Sequence, residues 1–400
     1  MTYNILMVGG TWSANQNGDG TYGKPSGLFK KITEAAAHAL LCKNTRVAGA
    51  VNTTVYNGGK YNDLEQIIKT ADKYDIVFWF ANIPDNKLPK IRDVKIIAPK
   101  TMLVTSKRND NNKYSFSRLI QRTLAAKANL SFEFAKNEKT GYFNIRVFDP
   151  LGNLWYDGCD IRAATVTAFE RLRFLIAMTR KGTFKSPVEI DTQNLISDMR
   201  NSVAVNEFLS LVQDYAKIFN ELLIPDEDAK RFLGNCSLSP AKNMPPQVGR
   251  CKKGMPSFTF EDFIFVSKRN IDKKFISAEH MVPVYMDGDD IFYLGDDKPS
   301  VDTPIQLALY KHLPNIRFMI HSHCYLENAV TTKQYIPCGA LQEAKEVLDL
   351  IDSSFSGRNN TLYLINLKGH GSIAMSDDIN KLRNLRYVSR HLPERVEKGE

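Results

Sequence analysis

The sequence predicts an α/β chain of two domains, the first built on a parallel, doubly wound sheet. Three observations carry this. Short apolar runs alternate with amphipathic stretches through residues 1–190, the pattern of parallel strands joined by helices. A cluster of glycine, proline and polar residues, Lys181-Gly182-Thr183-Phe184-Lys185-Ser186-Pro187, then breaks that pattern. The length of 400 residues suits two domains rather than one. We place them at 1–190 and 191–400.

In order, Ile5-Leu6-Met7-Val8 is a buried-type strand that ends at Gly9-Gly10-Thr11, and glycines follow at Gly18, Gly20, Gly23 and Gly27. A helix is expected over 28–41, so the opening reads strand, glycine-rich loop, helix. Further strands are expected at 46–51, 75–80 and 102–105, with a helix at 62–72 between the first two. Residues 115–130 read as a helix, 142–148 as a strand, Asp149-Pro150-Leu151-Gly152-Asn153 as a turn, and 161–179 as a long amphipathic helix. In such Rossmann-like sheets ligands bind beyond the carboxyl ends of the strands. Those ends would present Gly9, Gly10, Thr11, Asn52, Thr53, Asn82, Ser106, Lys107, Arg108 and Asn109. Backbone amides, small polar groups and two cations suit a nucleotide or another phosphorylated ligand. Neither a strict Gly-x-Gly-x-x-Gly nor a Walker lysine motif is present, and a purely structural or oligomerising role is the alternative.

The second half opens with a helical pattern over 203–223. Its chemistry is concentrated in Ile320-His321-Ser322-His323 and in Lys368-Gly369-His370-Gly371, which hold three of the seven histidines. If residues 316–323 form a strand, alternation puts His321 and His323 on one face, roughly 7 Å apart. Two such imidazoles can converge on a divalent ion, with a third from a later strand or turn. Three protein ligands and an open position is the catalytic zinc arrangement. The same spacing also fits an exposed strand face with His370 as a turn residue.

Composition narrows the function classes. With 43% hydrophobic and 24% charged residues the chain has apolar material for two cores. No apolar run approaches the ~20 residues of a membrane span, and Met1-Thr2-Tyr3-Asn4 leads straight into a strand, so a cytoplasmic protein is expected. The six cysteines lack a Cys-x-x-Cys pair, which argues against a disulfide framework or zinc knuckle; Cys324 and Cys338 read as buried free thiols. A net charge of +9 favours anionic partners such as phosphates, while no nucleic-acid motif accompanies it.

Taken in order, the second half resembles the class II aldolase/adducin family over residues 205–390. A strand at 262–266 leads to Ser267-Lys268-Arg269-Asn270; Gly234-Asn235-Cys236-Ser237 matches the family's phosphate loop; Pro299-Ser300-Val301-Asp302 matches the segment carrying its catalytic carboxylate and heads a helix at 305–312. The family's three zinc histidines fall on His321, His323 and His370. The resemblance implies a class II aldolase-like α/β/α domain and Zn2+ or another divalent metal. It implies a zinc-dependent aldolase or epimerase acting on a small phosphorylated sugar through an enediolate, retro-aldol intermediate. Asp302 would be the acid/base, although the position before Thr303-Pro304 also fits a helix N-cap. Phosphate would be held by Gly234, Asn235, Ser237 and Ser300, by the amides of Asn235 and Cys236, and by Lys268 or Arg269. The family's site forms between subunits, so a homotetramer is implied as well.

Departures shape the expectation. Aspartate stands where the aldolases of the family usually carry glutamate, and Pro299-Ser300-Val301-Asp302-Thr303-Pro304 is closest to the L-ribulose 5-phosphate 4-epimerase branch. Val301 replaces a phosphate-binding serine, Arg269-Asn270 stands in the usual serine-glycine position, and the epimerase's histidine-alanine-aspartate element is missing after Ile336-Pro337. Tyr325, Tyr335 or Tyr387 could supply the second acid/base. A sugar-phosphate dehydratase on the same metal site and an adducin-like interaction module are the alternatives.

Overall fold

The structure, a computed structural model, describes residues 2–13, 27–43, 51–81, 92–110, 113–136, 143–179, 184–185, 200–222, 233–239, 263–287, 290–355 and 361–390. The chain divides into two compact units, one running to Ile176 and one from Ala177 to Arg390. Among the described residues no helix is long and apolar enough to cross a membrane.

The first unit holds strands β1 (Tyr3–Ser13), β2 (Val51–Lys60), β3 (Ile76–Trp79), β4 (Met102–Arg108), β5 (Leu130–Lys136), β6 (Phe143–Phe148) and β7 (Leu154–Gly158). They form one sheet in the order β2-β1-β3-β4-β5-β6-β7. β2 through β5 are parallel, and β6 and β7 are antiparallel additions at one edge. Helices α1 (Gly27–Lys43), α2 (Tyr61–Lys69), α3 (Arg92–Ile97), α4 (Phe116–Ala125) and α5 (Ile161–Thr179) complete the unit. Strand alternation sorts the core into two layers. Ile5, Met7, Phe78 and Phe132 pack with Phe29 and Ile32 of α1 and Phe169 of α5, while Leu6, Val8, Val77 and Leu103 pack with Leu64 and Ile67 of α2 and Val94 of α3. Apolar cover on both faces defines the doubly wound architecture expected from the sequence.

Several elements differ from the sequence reading. β1 does not stop at Val8: Gly9 pairs with Asn57, the register shifts across Gly10 and Thr11, and pairing with β2 resumes at Trp12. A side chain at Gly9 would collide with Thr33 of α1, so this glycine serves helix-on-strand packing. The strand expected at 46–51 falls outside the described residues except for Val51, where β2 begins. Gly18, Gly20, Gly23, Asn82 and most of the joint at 181–187 also lie outside them. The expected helix over 115–130 ends at Ala125, because Lys127 takes a positive φ of 54°, and a new strand, β5, starts at Leu130. Ser115 caps α4, its hydroxyl accepting from the Arg118 amide at 3.3 Å.

In the second unit α6 (Val203–Leu222), α7 (Thr303–His312) and α8 (Leu341–Phe355) flank a nine-stranded sheet. Its strands are β8 (Phe184–Lys185), β9 (Asn235–Leu238), β10 (Ile264–Ser267), β11 (Met281–Asp287), β12 (Asp290–Tyr293), β13 (Phe318–Ser322), β15 (Val330–Thr331), β16 (Leu362–Leu367) and β17 (Gly371–Ser376), in the order β15-β16-β17-β13-β9-β10-β11-β12-β8. β14 (Tyr325–Leu326) and β18 (Tyr387–Val388) pair separately. One face buries Phe208, Val212 and Phe219 of α6 against Cys236, Phe265 and Ile320. The other buries Ile305 and Leu309 of α7 and Val347 and Ile351 of α8 against Val266, Met319 and Ile373. The result is the α/β/α sandwich that the sequence led us to expect. Met319 belongs to the layer under α7 and α8, so alternation brings His321 out on that side, where the first turns of both helices lie.

Candidate metal centre

β13 is a central strand, held by β17 on one side and β9 on the other, and its end delivers two histidines. His321 is its penultimate residue, and His323 follows just beyond it. The turn between β16 and β17 delivers His370. All three are buried, and one ring nitrogen from each lies within 4.8 Å of the others. Ring centroids are 5.1 Å apart for His321 and His323, 4.7 Å for His321 and His370, and 5.0 Å for His323 and His370. Gly371 makes this convergence possible, since a Cβ there would stand 2.0 Å from the Ser322 carbonyl oxygen. An exposed strand face, the alternative that spacing alone left open, is excluded by this burial.

Each ring is oriented by a second interaction. His321 Nδ1 lies 2.9 Å from the Ser372 carbonyl, which fixes Nδ1 as the protonated nitrogen and leaves Nε2 with a free lone pair. His370 Nδ1 lies 2.9 Å from both carboxylate oxygens of buried Glu343 in α8, so its Nε2 also faces the cluster. Burial, then the neighbouring His370, holds His321 down to about 4. Burial, then His370 and His321, holds His323 well below the ordinary range. Both are therefore neutral, as ligation requires. For His370, burial acts downward, but the charges of Cys338 and Glu343 outweigh it and raise the ring well above its ordinary value.

Asp302 completes the arrangement. It occupies the N-cap position of α7, yet its side chain makes no capping hydrogen bond. Its Oδ2 instead accepts from Asn235 Nδ2 at 2.9 Å and lies 3.7 Å from His321 Nε2. Asn235 Nδ2 also reaches Ser300 Oγ at 3.0 Å, while Asn235 Oδ1 accepts from Gln306. Three buried atoms here, His321 Nε2, His323 Nδ1 and Asp302 Oδ1, have no hydrogen-bond partner. Buried polar groups are ordinarily satisfied. Orphaned imidazole nitrogens beside an orphaned carboxylate oxygen are the donor set a divalent cation would satisfy, so the residues present fit a metal.

Residues 232–391 match the family model described as "Class II Aldolase and Adducin N-terminal domain". This part of the chain is a class II aldolase/adducin domain. Among solved structures, the chain is similar to a DNA/pantothenate metabolism flavoprotein from Streptococcus pneumoniae, with 10% identity over 43% of this chain and 99% of that one and a TM-score of 0.36. It is also similar to an L-fuculose 1-phosphate aldolase, with 15% identity over 45% of this chain and 78% of that one and a TM-score of 0.29. No curated protein matches the chain. Class II aldolases are typically dependent on a divalent metal, which agrees with the donor set described above.

The class II aldolase domain does not use every residue as its motifs suggested. Gly234 and Asn235 reach the centre, but Asn235 spends its side chain on Asp302, Ser300 and Gln306. Ser237 is fully buried, its hydroxyl 3.2 Å from the Tyr310 hydroxyl, so it serves the core rather than an anion. The Cys236 amide donates to Ser267 Oγ at 3.2 Å and is likewise committed. Lys268 pairs with Asp297 at 3.2 Å. Arg269 is exposed, and its Nε donates to the Pro299 carbonyl at 3.3 Å, one residue from Ser300. Of the tyrosines, Tyr325 accepts from the Gly369 amide at 2.8 Å, next to His370, while Tyr387 is packed among Tyr215 and Phe219.

In the first unit, Gly9, Gly10 and Thr11 are strand residues, as described above. Lys107 and Arg108 end β4, but Lys107 Nζ lies over the Tyr114 ring at 4.7 Å and Arg108 pairs with Asp110 at 2.6 Å. Asn109 is buried against Glu133 and Tyr114. The cations expected to meet a phosphate there have partners within their own unit.

One participant escapes the sequence reading and a second is read there only as a free thiol. Glu343 sits 27 residues before His370 with no motif around it, and Cys338 Sγ lies 3.0 Å from His370 Nε2.

Proposed function

We propose that the class II aldolase domain is a divalent-metal-dependent lyase or epimerase acting on a small phosphorylated sugar, with His321, His323 and His370 as metal ligands and Asp302 as acid/base. The observation that carries this is the meeting of three buried histidines, two with orphaned nitrogens, beside a carboxylate diverted from its helix cap.

A metal held there supplies Lewis-acid polarisation of a substrate carbonyl or hydroxyl oxygen. The protein's own groups do the rest. Asp302 Oδ1, free of hydrogen bonds, takes the substrate proton and returns it after the C–C bond has broken or re-formed. Asn235 holds the other oxygen and fixes the carboxylate's direction. Ser300, two residues before Asp302, and Arg269, bonded to the Pro299 carbonyl, would hold the phosphate. Aspartate and the Pro-Ser-x-Asp-Thr-Pro segment favour the epimerase form, cleavage followed by re-addition, over simple aldol cleavage. A non-catalytic assembly role gives no reason for the orphaned nitrogens.

The test is metal analysis of the purified chain, followed by deuterium exchange into phosphorylated ketoses. A single divalent ion per chain, lost in His323→Ala, with metal-dependent exchange, is the expected result. A metal-free protein without exchange would sink the reading.

A further inference from the structure

The geometry points to Cys338 as a fourth protein ligand of the metal centre, giving a resting shell of three histidines and one thiolate. This rests on the reading of the three histidines as ligands, and it adds a sulfur donor that the three-histidine motif does not contain.

The argument starts at His370. Its Nδ1 is committed to Glu343, so Nε2 is the nitrogen that binds a cation once it has given up any proton. Cys338 Sγ lies 3.0 Å from that same nitrogen. Once Nε2 binds a cation, its hydrogen bond with the Cys338 sulfur is given up, and the sulfur is left beside the cation as a further donor. For a tetrahedral zinc with bonds of about 2.05 Å to nitrogen and 2.3 Å to sulfur, the two ligand atoms stand about 3.6 Å apart. The observed 3.0 Å is shorter than that, so the thiol must swing aside from the nitrogen's lone pair to admit the ion.

Two further observations support this. Cys338, Asp302 and His370 form a second group whose ligand atoms all lie within 4.8 Å, sharing His370 with the trio of histidines. The orphaned Nε2 of His321 and Oδ1 of Asp302 are buried beside it. Cys338 is also held by construction: it lies in the loop between β15 and α8, five residues before Glu343. One short segment thus delivers the partners of both nitrogens of His370.

The consequences are chemical. A thiolate ligand, formed as the thiol gives its proton to solvent, biases the site toward zinc or cobalt over magnesium or manganese. It also closes the resting shell, so a substrate binding through two oxygens must displace the sulfur or expand the coordination number.

The test uses the full chain loaded with Co2+, whose spectrum reports sulfur ligation as a thiolate-to-cobalt charge-transfer band in the near ultraviolet. The wild type and Cys324→Ser, which alters a buried thiol outside the centre, are expected to show the band. Cys338→Ser is expected to bind cobalt in the same stoichiometry and lose it. X-ray absorption of the zinc-loaded wild type gives the same information without a variant, as a sulfur neighbour in the metal's first shell. A bound metal with only nitrogen and oxygen neighbours overturns the thiolate while leaving the histidine site standing. Failure of the wild type to bind either metal overturns both.

Discussion

Asp302→Asn separates the two jobs open to this side chain, capping α7 and moving a proton. Asparagine and aspartate are nearly equal as N-caps, so a residue that only caps would tolerate the exchange with almost no effect on stability or turnover. The structure already argues against capping: the α7 backbone begins at the Asp302 carbonyl, which accepts from Ile305 and Gln306, while the carboxylate makes no cap hydrogen bond. Asparagine keeps the size and one oxygen to accept from Asn235 Nδ2. Its NH2 group replaces an oxygen that has no partner, so the fold loses about 1 kcal/mol or less. What vanishes is the proton acceptor, worth roughly 100- to 10,000-fold in rate. That is about 3–5 kcal/mol of barrier. The assay is deuterium exchange into a phosphorylated ketose, with thermal melting and bound metal measured on the same samples. Exchange within a few-fold of wild type, in a variant that melts normally and retains its metal, would refute the assignment.

Three other outcomes follow from the geometry. Glu343→Gln leaves His370 Nδ1 with a neutral partner in place of a carboxylate at 2.9 Å, and metal affinity is expected to fall roughly 10- to 100-fold in a chelator competition; an unchanged affinity would remove Glu343 from the centre. Gly371→Ala forces a Cβ to within 2.0 Å of the Ser322 oxygen and 2.7 Å of His323 Cα, so β17 must shift away from β13; a loss of about 1–3 kcal/mol is expected in urea unfolding, together with weakened metal binding. Lys273 is buried and its ammonium is pulled to about 8 by that burial, against 10.5 in the unfolded chain. The unfolded form holds the extra proton between those two values, so the penalty is full below pH 8, fades as pH rises, and is gone near pH 10.5. Stability should climb by roughly 3 kcal/mol across that window, and Lys273→Met should flatten the climb; equal pH slopes for the two proteins would contradict it.

The legible part of the first unit is the part buried on both faces. β3, β4 and α5 stand where their apolar runs or helical periodicity put them, because fully covered strands and amphipathic helices write their environment into local composition. β2 was hidden for the opposite reason. It is an edge strand, half exposed, and carries Asn52, Thr53, Asn57 and Gly58, residues that read as loop when taken locally. Its pairing also explains why β1 runs past Gly9 and Gly10: the neighbouring strand supplies ladder partners that no local pattern can show. β5 carries a buried charge, Glu133, bound to Arg146 at 2.5 Å on the neighbouring strand, and that long-range pair is what makes a glutamate tolerable in a strand interior.

The metal centre divides along the same line. His321 and His323 announce themselves because strand alternation is local, and their face could be read before the fold was known. For Gly-Asn-x-Ser the sequence shows direction but not depth. Asn235 and Ser237 do share a face of β9, but two residues along the strand separate the first turn of α7, with Asp302, from its last turn, with Tyr310. The same pattern thus sends one side chain to the centre and the other into the core. Glu343 could not be read at all, and Cys338 read only as a free thiol, since it takes the docking of α8 and the loop before it to bring them to His370. Asp302 is the instructive case. Sequence logic for an aspartate before Thr-Pro is a helix cap, and the chain puts it at that position, yet its carboxylate turns away and leaves one oxygen buried without a partner. A stability device left unused beside orphaned imidazole nitrogens is a local rule broken without local gain, and such departures collect where a site is built for a ligand.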